Sequence, residues 1–274
     1  MRFLSFVTPD GRPGWGKATD QGIVDLSAVA PTLREAIAAG RLAGATGSTV
    51  YAESEIKYLP VIPSPDKILC VGLNYRSHVL ETGRELPAKP SIFTRFANTQ
   101  VGHGQPMIRP RVSEKFDYEG ELAVVIGKTC RHVARADALS VVAGYACYND
   151  GSIRDWQRHT IQYTPGKNFP ATGGFGPWLA TPDELGDLGR RAIRTRLNGQ
   201  EMQHATFDDL IFDVPALIEY CSTFTQLEPG DVIITGTTGG VGAFREPPVW
   251  MKAGDVVEVE IEGIGTLRNT IADE

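Results

Sequence analysis

The densest chemistry in the chain lies in Phe116-Asp117-Tyr118-Glu119-Gly120-Glu121-Leu122, which runs straight into the apolar Ala123-Val124-Val125-Ile126. In an extended strand alternate side chains share a face, so Glu119 and Glu121 point the same way. Asp117 joins them if the strand begins that early. Two carboxylates side by side at the mouth of a core strand repel each other. Either water, lysine or arginine neutralises them, or they hold a hard cation, and this segment leaves both readings open. A third carboxylate, Asp150, ends the apolar run Val141–Asn149. It could be the N-cap of a following helix, or it could complete a set of three. An all-oxygen set, with water or substrate oxygens in the remaining positions, suits octahedral Mg²⁺ or Mn²⁺. Zinc is disfavoured because no Cys or His accompanies the acids.

Upstream, Gly72-Leu73-Asn74-Tyr75-Arg76-Ser77-His78-Val79-Leu80-Glu81 sets His78 and Glu81 three positions apart, neighbours on a helical turn. A carboxylate beside an imidazole orients its ring and raises its basicity, as a general base requires. The plain alternative is a surface ion pair. Other motifs fail. Gly127-Lys128-Thr129 lacks the upstream glycine of a phosphate loop, because Leu122 stands there. There is no G-x-S-x-G elbow and no H-E-x-x-H. The cluster Gly236-Thr237-Thr238-Gly239-Gly240-Val241-Gly242 has the wrong spacing for a dinucleotide fingerprint, though glycines there allow backbone to approach a ligand closely.

The elements that must position these groups are mostly strands. Arg2–Val7, Trp15–Lys17 and Gly22–Leu26 read as short strands, and Thr32–Ala38 as a helix stopped by Gly40. Tyr58-Leu59-Pro60-Val61-Ile62-Pro63-Ser64-Pro65 reads as an extended linker. It divides a small N-terminal α+β piece, residues 1–60, from a larger domain, residues 61–274. In the latter, Lys67–Gly72, Ser91–Arg95, Glu119–Ile126, Val141–Asn149, Ala192–Leu197, Asp231–Thr235, Val256–Ile261 and Gly265–Asn269 read as strands. Asp150 and Asp213 are candidate caps for helices reaching His159 and Tyr220. Strands and helices do not alternate as a doubly wound sheet demands. The expected class is mixed, β-rich α+β: a roll or distorted barrel with peripheral helices.

Composition bounds the function. A chain of 274 residues buries a sizeable core. Its net charge of −6 argues against a nucleic-acid surface, yet leaves an anionic substrate open. No apolar run approaches a membrane span, and Met1–Pro9 is broken too soon for a signal peptide. The four cysteines form no C-x-x-C pair. The cytoplasm is the expected compartment.

Taken together, Gly72–Glu81, Tyr118-Glu119-Gly120-Glu121-Leu122, Tyr148-Asn149-Asp150, Arg154-Asp155-Trp156-Gln157, Gly166-Lys167-Asn168-Phe169 and Gly236–Gly242 resemble the motifs of the fumarylacetoacetate hydrolase C-terminal family, in order and spacing. Leu227–Asp231 and Lys252–Asn269 extend the likeness over roughly residues 66–270. The resemblance implies a β-sandwich roll, commonly in homodimers. It implies Glu119, Glu121 and Asp150 as ligands of Mg²⁺ or Mn²⁺, and His78 with Glu81 as a water-activating dyad on a lid. Lys167 is implied near the metal, and Thr237, with Gly236, beside the substrate carboxylate. The activity implied is C–C hydrolysis of an acylpyruvate such as fumarylpyruvate, in aromatic-compound catabolism. The family's isomerases, tautomerases, oxaloacetate-type decarboxylases and keto-acid hydratases form the alternative, since they use the same site. All act on a small anionic keto acid.

Three departures bear on specificity. Family members commonly follow the lysine with Ser-Phe-Asp-Thr, whereas Lys167 is followed by Asn168-Phe169-Pro170-Ala171. Thr238-Gly239 replaces the usual Pro-Ser. Arg95 stands where a lysine is common; it could reach a second substrate carboxylate bidentately or be structural.

Overall fold

A computed structural model describes residues 1–274. Its spine is a large mixed sheet. In spatial order the main strands are Val50–Tyr51, Gly22–Asp25, Pro13–Thr19, Arg2–Val7, Gly173–Ala180, Val142–Asn149, Gly120–Ile126, Val232–Ile234, Ile68–Gly72 and Ser91–Thr94. A second sheet runs Gln200–Thr206, Ala192–Leu197, Val256–Ile261, Gly265–Asp273 and Met107–Arg109. Neither closes into a barrel, and helices are few and short. The mixed, sheet-rich α+β class is the one expected. No helix is long and apolar enough to cross a membrane.

The strand Gly120–Ile126 shows why the layers stack as they do. Every residue in it is buried, which requires both faces to be covered. Leu122, Val124 and Ile126 pack toward Ile193, Val259 and Leu267 of the second sheet and toward Leu217 and Cys221 of the helix Val214–Phe224. Ala123 and Val125 belong to the opposite core, with Phe3, Trp15, Leu26, Leu33 and Ile37. Each such large aliphatic or aromatic side chain contributes about 1.5–3 kcal/mol on burial. The N-terminal residues therefore cover one face of the sheet into which Arg2–Val7 is hydrogen-bonded, pairing with Gly173–Ala180.

Local signals place several elements where the sequence puts them. The helix Leu33–Ala38 begins at Thr32, whose hydroxyl accepts from the Glu35 backbone N–H, and Gly40 beyond it takes the left-handed φ of 65°. Asp213 caps Val214–Phe224 by accepting from the Ala216 N–H at 3.0 Å. Two long strands escape the pattern, as do several two- or three-residue ones such as Val50–Tyr51 and Met107–Arg109. Gly173–Ala180 is rich in glycine and contains Pro177, so its sequence reads as a turn, yet it lies centrally between Arg2–Val7 and Val142–Asn149. A Cβ on Gly173 would come 2.9 Å from both the Arg95 guanidinium and the Tyr148 hydroxyl. Glycine is thus what close packing against the site demands. Gln200–Thr206, a polar strand at the edge of the second sheet, has too little apolar alternation to declare itself.

Candidate metal centre and active site

Strand pairing assembles the acids. Gly120 lies opposite Asn149, and the Asp150 N–H donates to the Glu119 carbonyl at 2.8 Å, so the next pair in register is Glu119 and Asp150. Glu121 follows on the face it shares with Ala123 and Val125. One ligand oxygen from each of Glu119, Glu121 and Asp150 lies within 4.8 Å of the others, and all three side chains are buried. The cap reading of Asp150 is not realised. The strand Ser152–Ile153 intervenes before the short helix Arg154–Gln157, and the Asp150 carboxylate is spent on cations instead.

Those cations do not share themselves evenly. Lys167 Nζ donates to Glu119 at 2.6 Å and to Asp150 at 2.5 Å. Arg154 bridges Asp117 and Glu119, each at 2.7 Å. Arg95 is completely enclosed and donates to Asp150 at 2.5 Å, to the Gly151 carbonyl and to the hydroxyls of Thr99 and Thr172. Glu121 alone has no basic partner; its Oε2 accepts only the Gly236 N–H, at 2.6 Å. Burial together with the charges of Asp150 and Glu119 pushes its carboxyl well above the usual range. For Glu119 burial works the same way, but Lys167 and Arg154 overcome it and hold that carboxyl near 2. Burial opposes the charge of Lys167, and the carboxylates of Asp150 and Glu119 outweigh it, leaving the ammonium firmly protonated.

The arrangement fits a hard divalent cation. Four buried carboxylates, Asp117, Glu119, Glu121 and Asp150, face three buried cations, Arg95, Arg154 and Lys167. The uncompensated charge sits at Glu121, where three oxygens converge. A cation there would be held by Glu119, Glu121 and Asp150, a donor set that matches Mg²⁺ or Mn²⁺. It would also turn the local balance positive and so favour an anionic ligand.

Above the acids opens a cavity of about 450 Å³, lined by His78, Glu119, Glu121, Arg154, Lys167, Thr237 and Phe244 among others. His78 and Glu81 lie on the helix Arg76–Thr82. His78 Nδ1 is 3.1 Å from Glu81 Oε2, and the other Glu81 oxygen accepts the Gly240 N–H at 3.0 Å. A carboxylate anchored to the Gly240 backbone fixes the imidazole. With the Nδ1 proton donated to Glu81, Nε2 is free to exchange a proton with a ligand. Thr237 reaches the cavity wall, its hydroxyl accepting from Gln203 at 2.8 Å and donating to the Gly120 carbonyl at 3.1 Å.

The structure thus gathers His78, Glu81, Lys167, Thr237, Glu119, Glu121 and Asp150 around one cavity. Arg95 lies beneath the floor, behind Asp150. Gly236 supports Glu121 through its N–H; at φ 100°, a Cβ there would meet Asn74 at 2.8 Å and the Val71 carbonyl at 2.9 Å. Three supporting residues carried no assigned role in the sequence reading. Asp117 pins Arg154 and accepts the N–H groups of Gly242 and Ala243 at 2.8 and 2.9 Å. The alternation with Glu119 was its one signal. Arg154 lay within a recognised motif, and nothing in the sequence marked Gln203.

Residues 67–272 match the family described as fumarylacetoacetate (FAA) hydrolase C-terminal. The chain belongs to that family. It is 38% identical over 284 residues to oxaloacetate tautomerase fahd2, mitochondrial, of Xenopus laevis, covering 99% of this chain and 89% of that protein. Among solved structures it resembles 5-carboxymethyl-2-hydroxymuconate delta-isomerase from Mycobacterium smegmatis, with a TM-score of 0.83 and 31% identity over the whole of both chains. It also resembles maleylpyruvate hydrolase from Sphingobium, with a TM-score of 0.83 and 26% identity over the whole of both chains. These relatives span isomerases and hydrolases. An enzyme of this superfamily, with an acidic triad able to hold a metal ion, is the common statement; C–C hydrolysis is one activity among several.

Proposed function

We propose that the protein is a Mg²⁺- or Mn²⁺-dependent tautomerase interconverting the keto and enol forms of a small 2-oxo dicarboxylate of the oxaloacetate type. The observation that carries this reading is the near full-length similarity to oxaloacetate tautomerase, extending over 99% of this chain. It displaces acylpyruvate hydrolysis, the leading expectation from the sequence, in favour of the alternative.

The residues suit the chemistry. A divalent cation at the triad would supply Lewis-acid polarisation of a 2-oxo acid. His78 removes the proton from the carbon next to the keto group, the electron pair of that C–H bond becomes the C=C bond, and the imidazolium returns the proton to the former carbonyl oxygen, so that His78 ends neutral. The reverse path regenerates the ketone. Glu81 holds the ring and stabilises the imidazolium that forms. Lys167 and Arg154 keep Glu119 and Asp150 in place and add positive potential where the oxygen gains negative charge. The Thr237 hydroxyl gives its proton to the Gly120 carbonyl and accepts from Gln203, so toward the ligand it offers a remaining lone pair, an acceptor suited to the enol O–H.

The direct assay follows the ultraviolet absorbance of enol oxaloacetate after dilution into buffer with Mn²⁺. Protein should accelerate its decay beyond metal alone, and an unchanged rate sinks the reading. Hydrolysis of an acylpyruvate remains a second reading, favoured by the likeness to maleylpyruvate hydrolase and by the His78–Glu81 dyad. Under it, ¹⁸O from solvent water should enter the released carboxylate. A homodimer and a cytoplasmic location belong to the same proposal, the mitochondrial label being that of the vertebrate relative. A monomer in sedimentation at micromolar concentration would count against the dimer.

A further inference from the structure

Four guanidinium or ammonium side chains line the cavity: Arg84, Arg154, Arg158 and Lys167. Arg154 and Lys167 are committed to the acids of the floor. Arg84 and Arg158 are not. Neither forms an ion pair with any carboxylate, and neither side chain donates a hydrogen bond within the protein. The cavity therefore has two poles. Its floor is acidic and suited to a metal, and its exposed mouth is cationic and unneutralised.

Local geometry explains how both arginines reach that mouth. Arg158 follows the one-turn helix Arg154–Gln157. It lies four positions after Arg154, so it stands on the same side of the turn. Its guanidinium lies 6.0 Å from the centroid of the Phe244 ring, a cation–π distance. The same ring meets His78 edge-on, with centroids 6.2 Å apart. Phe244 sits at the end of the turn Gly242–Phe244, whose first two N–H groups are tied to Asp117. The anchor that orients Arg154 thus also orients the aromatic spacer between the general base and Arg158. Arg84 arrives from the opposite segment. Gly83, at φ 66°, ends the helix that carries His78 and Glu81 and turns the chain to Arg84.

We infer that Arg158, assisted by Arg84, receives the second carboxylate of the substrate and so selects 2-oxo dicarboxylates over 2-oxo monocarboxylates. A ligand whose 2-oxo acid end occupies the floor must direct its remaining carbons toward the mouth, where these two cations lack partners. The inference rests on the proposed keto-acid reading but assigns roles to two residues that reading does not use. Arg95, the sequence candidate for this task, is enclosed behind Asp150 and cannot perform it from there.

The test is binding, not turnover. Protein loaded with Mn²⁺ is titrated calorimetrically with 2-oxoglutarate, with 2-oxopentanoate, which has the same carbon chain and one carboxylate fewer, and with oxalate, which needs only the floor. The wild type should favour 2-oxoglutarate over 2-oxopentanoate on the order of tenfold, a modest ratio because the arginines are solvent-exposed. The ratio should shrink as salt is raised. Arg158→Gln should weaken 2-oxoglutarate alone, and Arg158→Gln with Arg84→Gln should bring the ratio to about one while oxalate binds as before. A wild-type ratio near one, or a ratio that survives the double substitution, overturns the inference. So does failure of all three ligands to bind, which would remove the floor as well. Selectivity as expected without enol–keto acceleration would leave this inference standing and defeat the proposed activity; acceleration without selectivity would do the reverse.

Discussion

Replacing Glu121 with Gln separates a metal ligand from an ordinary buried ion, because the two predict opposite signs for the metal-free protein. Removing one partner of a buried ion pair typically costs about 3–5 kcal/mol. Glu121 has no such partner. Its nearest charged neighbours at the triad are two carboxylates whose ligand oxygens lie within 4.8 Å of its own. At an effective dielectric constant of about 20, each such like-charge pair costs at least about 3.5 kcal/mol when both members are ionised. An amide of the same shape carries none of that repulsion. A suitable rotamer presents its oxygen to the Gly236 N–H, which preserves the one hydrogen bond Glu121 makes. Glu121→Gln should therefore leave the metal-free protein as stable as the wild type or more so. The metal-bound state should change the other way, since the cation loses one of three anionic ligands. In denaturant unfolding, Mn²⁺ at about 100 times its wild-type Kd should add about 2.7 kcal/mol to the wild type and little to the variant. Loss of several kcal/mol by the metal-free variant, or equal stabilisation of both proteins by Mn²⁺, would refute the reasoning.

His78→Ala should lower kcat by about 10²–10⁴-fold with Mn²⁺ and oxalate affinities unchanged, and Glu81→Gln should lower it less; unaltered steady-state rates would reduce the pair to a structural contact in the cavity wall. Lys167→Met should destabilise the metal-free protein by about 3–5 kcal/mol, with added Mn²⁺ recovering part of the loss in thermal unfolding, because Glu119 and Asp150 then lack the ammonium that bridges them. EDTA treatment followed by dialysis should abolish activity, and Mg²⁺ or Mn²⁺ should restore it. Full activity in the chelated protein would exclude the metal role.

Short-range features were legible in the amino-acid sequence because the physics behind them is local. The period-two alternation of Glu119 and Glu121, the i,i+3 spacing of His78 and Glu81, and the caps at Thr32 and Asp213 each depend on backbone geometry within a few residues. The apolar run Ala123–Ile126 announced a core strand, although not that both its faces would be covered. Tertiary structure alone decided the rest. Whether Asp150 capped a helix or faced Glu119 turned on the register Gly120–Asn149 between two strands, and a slip of one residue would have sent every side chain to the other face. Arg95 could have reached a substrate or sealed the floor. Enclosure by Asp150, Thr99 and Thr172 settled its place, and that enclosure needed the glycine-rich strand Gly173–Ala180, which reads locally as a turn. The allotment of cations was equally hidden: Lys167 and Arg154 were taken by the acids, while Arg158 and Arg84 were left free at the mouth. Charge pairing in a buried site is decided by distances of a few ångströms between segments far apart in the chain. No spacing within one segment encodes those distances, and the packing of both sheets does.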